Sequence, residues 1–461
     1  MEEAVFACWI RKGKTMRKST KTKLTRRQVL QGAGAVGLIS AFPTIVPSTV
    51  FGKNAPSNRV TVGMIGVGRQ GTKVNLRTLV DMKDVRIVAV CDVDTWRMNN
   101  AKNMVDTKYG DTGCRAYSDW REVVARDDID AIMNSTSDHW HVPISLTAVR
   151  KGKHVSCEKP LTLSIAEGRV LADAVKKHGV VFRTDSECRS HSYMHKTAEL
   201  VRNGYIGKIK RFEVGVPRGD KAGGKADPMP VPEELDYEMW MGPIEKKPYT
   251  VDAVHPSKSY GRPGWMRCRD TCEGMITNWG THVIDVAQLV NNSERTGPVS
   301  IEGTGKYPAP GSGLWNVLID FNVQFKYADG VTMNYITDSA GAYLRVEGEE
   351  GWIQANWLRE GGFQASDTNI LRTKLKDSDL RIPQRSDKDD FIHCIKNNAP
   401  DESMADAEVG HRTCSIGQLA HIAIQRGRKL EWNPEEERFV GDNEANKMLS
   451  RTYRDPWGLN I

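Results

Sequence analysis

The chain has 461 residues, of which 39% are hydrophobic, so it is long enough for two or three domains with a sizeable core. Its net charge of +7 lies in residues 1–27, where nine Lys and Arg oppose Glu2 and Glu3; the remaining chain holds 56 basic and 56 acidic residues. This balance leaves no basic footprint for a nucleic acid, and no apolar run reaches the roughly 20 residues that cross a membrane.

The basic N-terminal segment predicts an export signal. "TRRQVLQ" (25–31) contains a twin arginine and precedes the weakly apolar "GAGAVGLISA" (32–41). A basic region followed by a short apolar region is typical of a signal peptide, and the twin arginine indicates the route that carries folded proteins. We predict a signal and linker over residues 1–53, a periplasmic location, and no membrane attachment after signal removal. A basic amphipathic tail is the alternative.

A glycine-rich turn follows the first predicted strand, "RVTVGMI" (59–65). The turn, "GVGRQG", has G-x-G-x-x-G spacing at Gly66, Gly68 and Gly71, and a helix pattern follows it. A second strand (85–90) leads to Asp92, 21 residues after the last glycine. This context predicts a dinucleotide site: Gly66 permits the tight turn, Gly68 admits the pyrophosphate, and Gly71 allows close helix packing.

Asp92 favours NAD over NADP. Its carboxylate would accept hydrogen bonds from the adenosine ribose hydroxyls and would repel a 2′-phosphate. Arg69 and Arg97 lie near enough in sequence to leave NADP open.

Strand and helix patterns continue to alternate up to Asp185. Further strands are predicted at 130–135, 154–158 and 180–185, and helices at 119–126, 137–152 and 164–179. These five strands and their crossover helices predict a doubly wound parallel sheet, and ligands bind at the carboxyl edge of such a sheet. The polar residues that fall at these edges are Asp138, His139, Glu158, Lys159 and Asp185.

Neither the histidines nor the cysteines predict a metal site. His139 and His141 are placed in a loop that enters a helix, without a third ligand nearby, so packing in a cofactor pocket is favoured over metal binding. The nine cysteines form no C-x-x-C pair, which favours buried apolar thiols over disulfides.

The second half changes character. Helices are predicted at 193–204, 278–290, 387–398 and 404–427, with strands at about 207–216, 298–304, 316–326, 331–337, 342–348 and 351–357. This pattern indicates an open, mostly antiparallel sheet with one face against helices, followed by an extended tail.

The chain resembles the glucose–fructose oxidoreductase / inositol dehydrogenase / MocA family (Gfo/Idh/MocA) over about residues 58–430. The stretches that carry the resemblance are "GVGRQG" (66–71), "CDVD" (91–94), "SDHWHV" (137–142), "CEKPLT" (157–162), "GKIKRFEV" (207–214), "GMITNWGTHVIDVAQ" (274–288) and "EGEEGWI" (347–353). The twin-arginine leader, "YEMWMGP" (237–243) and the C-terminal sequence resemble the exported branch of this family.

The resemblance implies an α/β architecture: an N-terminal Rossmann domain (54–186) with a doubly wound parallel sheet, and a C-terminal α/β domain (187–430) with a large open, mostly antiparallel sheet. A tail (431–461) follows. It also implies a dimer or tetramer and hydride transfer between a nicotinamide cofactor and a sugar, glycoside or polyol.

Four residues receive catalytic roles from the resemblance. Lys159, in the family's E-K-P motif, lies near the nicotinamide and the reacting hydroxyl; it stabilises an alkoxide or acts as a base. Glu158 orients it, and Pro160 fixes the backbone through a cis bond. His282 acts as acid or base. Asn278 stands at the family's acid position, and an amide cannot take a proton, so Asp285 either substitutes or anchors the helix.

The predicted cofactor contacts are Gly66, Gly68, Arg69, Gln70, Gly71, Asp92, Ser137, His139, His141, Glu158, Lys159 and Arg189.

Three functions are weighed. The first is an NAD(P)-dependent carbohydrate oxidoreductase. The second is a glycoside hydrolase that oxidises its substrate transiently, for which His191, Tyr193, His282 and Asp285 are unranked candidates for an extra base. The third is a non-catalytic, NAD-loaded sensor or scaffold, which the intact Lys159 and His282 disfavour.

Overall fold

The structure, a computed structural model, describes residues 58–339, 341–357 and 361–459. The predicted export signal lies outside these ranges. Within them, no helix is long and apolar enough to cross a membrane.

A six-stranded parallel sheet forms the first half of the described chain, in the order β3-β2-β1-β4-β5-β6. Its strands are β1 (Val60–Ile65), β2 (Val85–Cys91), β3 (Arg115–Tyr117), β4 (Ala131–Asn134), β5 (His154–Glu158) and β6 (Phe182–Asp185). The predicted doubly wound parallel sheet is confirmed. The position of β3 was not predicted, because three half-exposed residues carry no apolar run.

Helices connect these strands. They are α1 (Arg77–Asp81), which continues the π-helical turn Gly71–Leu76, α2 (Thr95–Tyr109), α3 (Trp120–Val124), α4 (Asp138–Arg150) and α5 (Ile165–His178). The placement of His139 and His141 in a loop was wrong. Both lie in α4, which begins one residue after Ser137, where Asp138 favours the positive end of the helix dipole.

A nine-stranded sheet forms the second half, in the order β13-β12-β11-β7-β10-β9-β8-β14-β15. Its strands are β7 (Ile209–Pro217), β8 (Ser300–Lys306), β9 (Asp320–Lys326), β10 (Thr332–Asp338), β11 (Tyr343–Gly348), β12 (Trp352–Asn356), β13 (Phe363–Ala365), β14 (Leu430–Asn433) and β15 (Arg438–Phe439). Every pair is antiparallel except β7 with β10.

Helices cover one face of this sheet. The helices of the second half are α6 (Ser192–Arg202), α7 (Tyr237–Met241), α8 (Met275–Asn278), α9 (Gly280–Val290), α10 (Thr368–Arg372), α11 (Asp387–Asn397), α12 (Ala407–Arg426) and α13 (Asn443–Lys447). In β9, Phe321, Val323 and Phe325 enter the core shared with α6, α9 and α12, while the alternate residues are exposed or half-buried. The strand therefore has the period of two that one buried face requires.

The C-terminal segment differs from the predicted extended tail. After α12, β14 pairs with β8 and extends the sheet, and α13 follows. The predicted domain boundaries stay predictions, but α11 crosses back to the first sheet. There Lys388 pairs with Asp185 (Nζ–Oδ2 2.6 Å), and Asp390 pairs with Arg183 (Oδ2–Nε 3.0 Å).

Candidate active site

The glycine turn has the geometry that a dinucleotide requires. Gly66 adopts a φ of +80°, and a Cβ there would lie 2.6 Å from the backbone of Ser135. A Cβ at Gly71 would lie 2.1 Å from the carbonyl oxygen of Gly66. At Gly68 a Cβ would meet nothing within 4 Å. The backbone at Gly68 is therefore open to a pyrophosphate, and the neighbouring residues fit the group.

Asp92 holds the turn from the end of β2. The Val67 N–H donates to its Oδ2 (2.8 Å), and the Asp94 N–H donates to its Oδ1 (2.9 Å). Burial raises the pKa of Asp92, and these two bonds oppose that rise. Each oxygen keeps a second lone pair for a ribose hydroxyl.

Arg97 does not fit the role of reading a 2′-phosphate. It is buried, forms an ion pair with Asp94, and donates to the carbonyls of Pro256 (2.8 Å) and Ser259 (2.7 Å). Arg69 and Gln70 remain in the turn itself, directly after Gly68.

The two α4 histidines contact backbone carbonyls. A ring nitrogen of His139 lies 2.9 Å from the Trp240 carbonyl oxygen. The ring nitrogens of His141 lie 2.8 Å from the Pro160 carbonyl oxygen and 3.2 Å from that of Thr136. Burial lowers the pKa of His139 to about 4, so it is neutral at pH 7. Across the described ranges, no group of three or more His, Cys, Asp or Glu side chains is arranged to hold a metal.

Lys159 links the two halves of the molecule. It follows β5 directly, precedes a cis bond to Pro160, and its Nζ donates to the carbonyl oxygen of Asn278 (3.2 Å). Glu158 accepts from the Asn75 amide (2.8 Å), in the π-helical turn after the glycines. Glu158 therefore connects β5 to that turn. This bond differs from the predicted role of Glu158, which was to orient Lys159.

His282 lies at the junction of two helices. The helix predicted over 278–290 is divided into α8 and α9, which meet at Trp279. The His282 ring packs edge-on against Trp357, with ring centroids 4.7 Å apart, and its buried Nδ1 has no hydrogen-bond partner among the described residues. Burial, with the positive charge of Lys159 adding to it, lowers the pKa of His282 well below its ordinary value. The imidazole is therefore neutral at pH 7.

Asp285 and Arg189 engage each other. Arg189 donates to both carboxylate oxygens of Asp285 (2.6 and 2.7 Å), and Ser186 adds a third bond (2.5 Å). Arg189 also pairs with Glu294 (2.6 Å). Both members of the pair are almost fully buried. The geometry favours the anchoring role for Asp285 and leaves Arg189 little capacity for a cofactor.

Two further carboxyl groups lie near Lys159, and the sequence analysis assigned no functional role to either. Asp138 is buried at the start of α4, its Oδ2 has no partner among the described residues, and burial raises its pKa to about 7. Glu187 follows β6 by two residues, and burial, with Asp387 adding to it, raises its pKa to about 8. The sequence pattern had placed Asp138 at the end of a predicted strand. The raised pKa of Glu187 depends in part on Asp387 of α11, 200 residues away, and no local sequence pattern reveals this proximity.

The chain matches two descriptions of one oxidoreductase family. Residues 60–186 match its NAD-binding Rossmann fold, and residues 219–459 match its C-terminal alpha/beta domain. Fold and glycine turn thus define a protein with an NAD-binding Rossmann domain joined to a large-sheet α/β domain. The chain belongs to the Gfo/Idh/MocA oxidoreductase family.

Curated relatives match part of the chain. Myo-inositol 2-dehydrogenase of Thermotoga maritima is 30% identical over 176 residues, which is 38% of this chain and 47% of that protein. The alpha-N-acetylgalactosaminidase of Shewanella oneidensis is 29% identical over 212 residues, 41% of this chain and 45% of that protein. The matches span a little under half the length of these relatives.

Solved structures share the fold over most of the chain. An aldose-aldose oxidoreductase from Caulobacter crescentus, complexed with glycerol, has a TM-score of 0.59 at 17% identity, covering 81% of this chain and 99% of that one. Levoglucosan dehydrogenase, in complex with NADH and levoglucosan, has a TM-score of 0.56 at 17% identity, with the same coverage.

Proposed function

We propose that this protein is an NAD-dependent oxidoreductase that moves a hydride between the cofactor and a hydroxyl or keto carbon of a sugar, glycoside or polyol. The observation that carries the proposal is the position of Lys159. Its ammonium lies at the carboxyl edge of the nucleotide-binding sheet and contacts α8, next to the helix that carries His282. Ligands of doubly wound sheets bind at this edge.

Lys159 and the residues around it have separate roles in the oxidation of a substrate hydroxyl group. A bound nicotinamide would supply the acceptor for the hydride that leaves the carbon bearing this hydroxyl. Lys159 stabilises the negative charge that develops on the oxygen. His282, neutral at pH 7, accepts the proton. The Asn278 side chain offers an amide to the substrate but no charge to a protonated His282.

The preference for NAD rests on Asp92. Asp92 directly follows β2, and its carboxylate accepts from two backbone N–H groups, so it would meet a 2′-phosphate with negative charge. The internal bonds of Arg97 remove one of the two cations that would favour NADP.

Three broader expectations remain part of the proposal: export through the twin-arginine signal, a small carbohydrate as the partner, and a homo-oligomer. The exposed alternate residues of β9 face away from the covering helices and offer a surface for assembly. Light scattering on the purified protein tests the oligomer, and fractionation of the native host tests the export.

The first experiment identifies the nucleotide and the reaction. Purified protein is denatured, and the released nucleotide is identified by mass spectrometry. Intact protein is then incubated with NAD and a panel of free sugars and aryl glycosides. Accumulating NADH, or transfer of its hydride to an added keto-sugar, supports the proposal. NADP recovered in place of NAD would contradict the role of Asp92.

A redox-neutral glycoside hydrolase is the second candidate. Asn278 at the family's acid position favours it, because net oxidation has then lost a charged partner for His282. The similarity to the Shewanella alpha-N-acetylgalactosaminidase points in the same direction. Release of the aryl group without net NADH would favour this candidate in the same experiment. Bound nucleotide with neither activity would favour a sensor.

A further inference from the structure

A segment of the second half of the chain lies against the nucleotide-binding end of the first sheet. Between β7 and α8 the chain returns to the residues that follow β2. There Asp236 donates its backbone N–H to the Val93 carbonyl oxygen (2.9 Å), and Thr95 donates to that of Glu234 (2.8 Å). Because Asp92 directly follows β2, this returning segment borders the adenosine side of the predicted cofactor site.

Two buried charged residues hold the end of this returning segment. The Asp94 carboxylate pairs with His255 (Oδ2–Nε2 3.2 Å) and with Arg97. Arg97 in turn donates to the carbonyl oxygens of Pro256 (2.8 Å) and Ser259 (2.7 Å). Both Asp94 and Arg97 are almost fully buried, so these bonds are shielded from water. They fix the segment to the beginning of α2.

Tyr260, the next residue along, contacts two elements that border a dinucleotide in this fold. Its ring packs against Trp96 of α2, with ring centroids 5.1 Å apart and 44° between the ring planes. The ammonium of Lys73, in the π-helical turn after the glycines, lies 6.0 Å from the centroid of the same ring. In a Rossmann fold the pyrophosphate binds at that glycine turn, and the adenosine ribose binds at the acid after the second strand, here Asp92. Tyr260 therefore borders both positions.

The Tyr260 hydroxyl points to a missing partner. The side chain is half-buried, and its hydroxyl oxygen is buried without a hydrogen-bond partner among the residues that the structure describes. Buried hydroxyl groups normally form a hydrogen bond, because leaving one unpaired costs free energy. The adenosine half of NAD carries ribose and phosphate oxygens that accept such a bond. The unpaired hydroxyl is therefore a second indication of a ligand beside this ring.

We propose that residues 255–260 of the second half form a wall of the cofactor site and that Tyr260 binds the adenosine half of NAD. The Tyr260 ring packs against the adenosine, and its hydroxyl donates to a ribose or phosphate oxygen. Both halves of the molecule then hold the cofactor, so NAD leaves slowly, when this segment moves away. The inference rests on the nicotinamide cofactor of the proposed function, and its test needs no sugar substrate.

Titration calorimetry with ADP-ribose tests the wall, because this ligand contains the adenosine half of NAD and lacks the nicotinamide. Any bound nucleotide is first removed with charcoal. Tyr260→Ala should weaken ADP-ribose binding about tenfold or more, and Tyr260→Phe, which keeps the ring, should weaken it about two- to fivefold. Trp352→Ala, which removes a half-buried ring from β12, is the matched control and should bind as wild type does. Wild-type affinity in Tyr260→Ala overturns the proposal, because the ring then only fastens the segment to α2.

Hydrogen exchange on the wild-type protein tests the same wall without any substitution. ADP-ribose should slow the exchange of the backbone amides in residues 255–260 severalfold and leave those of β13, at the edge of the large sheet, unchanged. Unchanged exchange in 255–260 with ADP-ribose bound overturns the proposal. The proposed reaction can fail separately: a protein whose NAD affinity depends on Tyr260 but which oxidises no sugar supports the wall and contradicts the reaction.

Discussion

The two halves of the candidate site are built in different ways. The cofactor half is local: Gly66, Gly68 and Gly71 lie within six consecutive residues, and Asp92 contacts the same turn from the next strand. The substrate half brings Lys159 to the carbonyl of Asn278, 119 residues away. Cofactor recognition thus depends on residues that are close together in the sequence, whereas the chemistry on the substrate depends on tertiary packing.

The largest expected effect tests the residue that joins the two halves. Lys159→Ala should reduce turnover by about 10²–10⁴-fold, because the developing alkoxide loses its cation. Thermal unfolding and bound-nucleotide content should stay near wild type. Steady-state kinetics with nucleotide analysis checks this. Lys176→Ala, on the exposed face of α5, is the matched control. Wild-type turnover in the Lys159 variant would refute the assignment.

The next effect is on stability and belongs to the substrate half. Arg189→Met removes one partner of a buried ion pair and leaves Asp285 uncompensated, so the free energy of unfolding should fall by about 3–5 kcal/mol. Chemical denaturation measures it. Exposed Arg211→Met, which loses only a surface pair with Glu347, should cost less than about 1 kcal/mol. If stability is unchanged and NAD affinity is lost, the predicted contact between Arg189 and the cofactor would be supported instead.

Two glycine substitutions sharpen the contrast within the cofactor half. Gly71→Ala forces a methyl group against the Gly66 carbonyl and should cost about 1–3 kcal/mol of stability as well as NAD affinity. Gly68→Ala meets no protein atom, so its unfolding temperature should stay unchanged while NAD affinity falls. Calorimetry of unfolding and of NAD binding separates the two. A Gly68 variant that binds NAD normally would mean that the pyrophosphate lies elsewhere.

The smallest expected effect comes from introducing an acidic residue at position 278, where this chain has an asparagine. Asn278→Asp adds a negative charge at the end of α8, four residues before His282, and should raise the pKa of that imidazole, which burial and Lys159 hold low. The acid limb of the pH profile of kcat/KM should move to higher pH, and net oxidation above it should become faster. Asn278→Ala, which removes the amide without adding charge, should not move the limb. An unshifted profile in the Asp variant would exclude His282 as the base.

The strengths of sequence reasoning follow the same division. Strand positions such as β5 and the glycine turn could be predicted, because apolar runs and glycine spacing are local. The anchoring of Asp285 by Arg189 could not, since it joins residues 96 positions apart. The histidines of α4 were misplaced because their polar surroundings suggest a loop, whereas both rings are buried against backbone carbonyls.

The crossing of α11 onto the first sheet limits how this architecture can be recombined. A chimera that transplanted residues 60–186 alone would carry Arg183 and Asp185 without Asp390 and Lys388, their partners on α11. Buried charges separated from their partners are strongly destabilising. A functional exchange of nucleotide-binding modules between relatives must therefore move α11 as well, or replace both charge pairs together. The transferable unit is discontinuous along the chain.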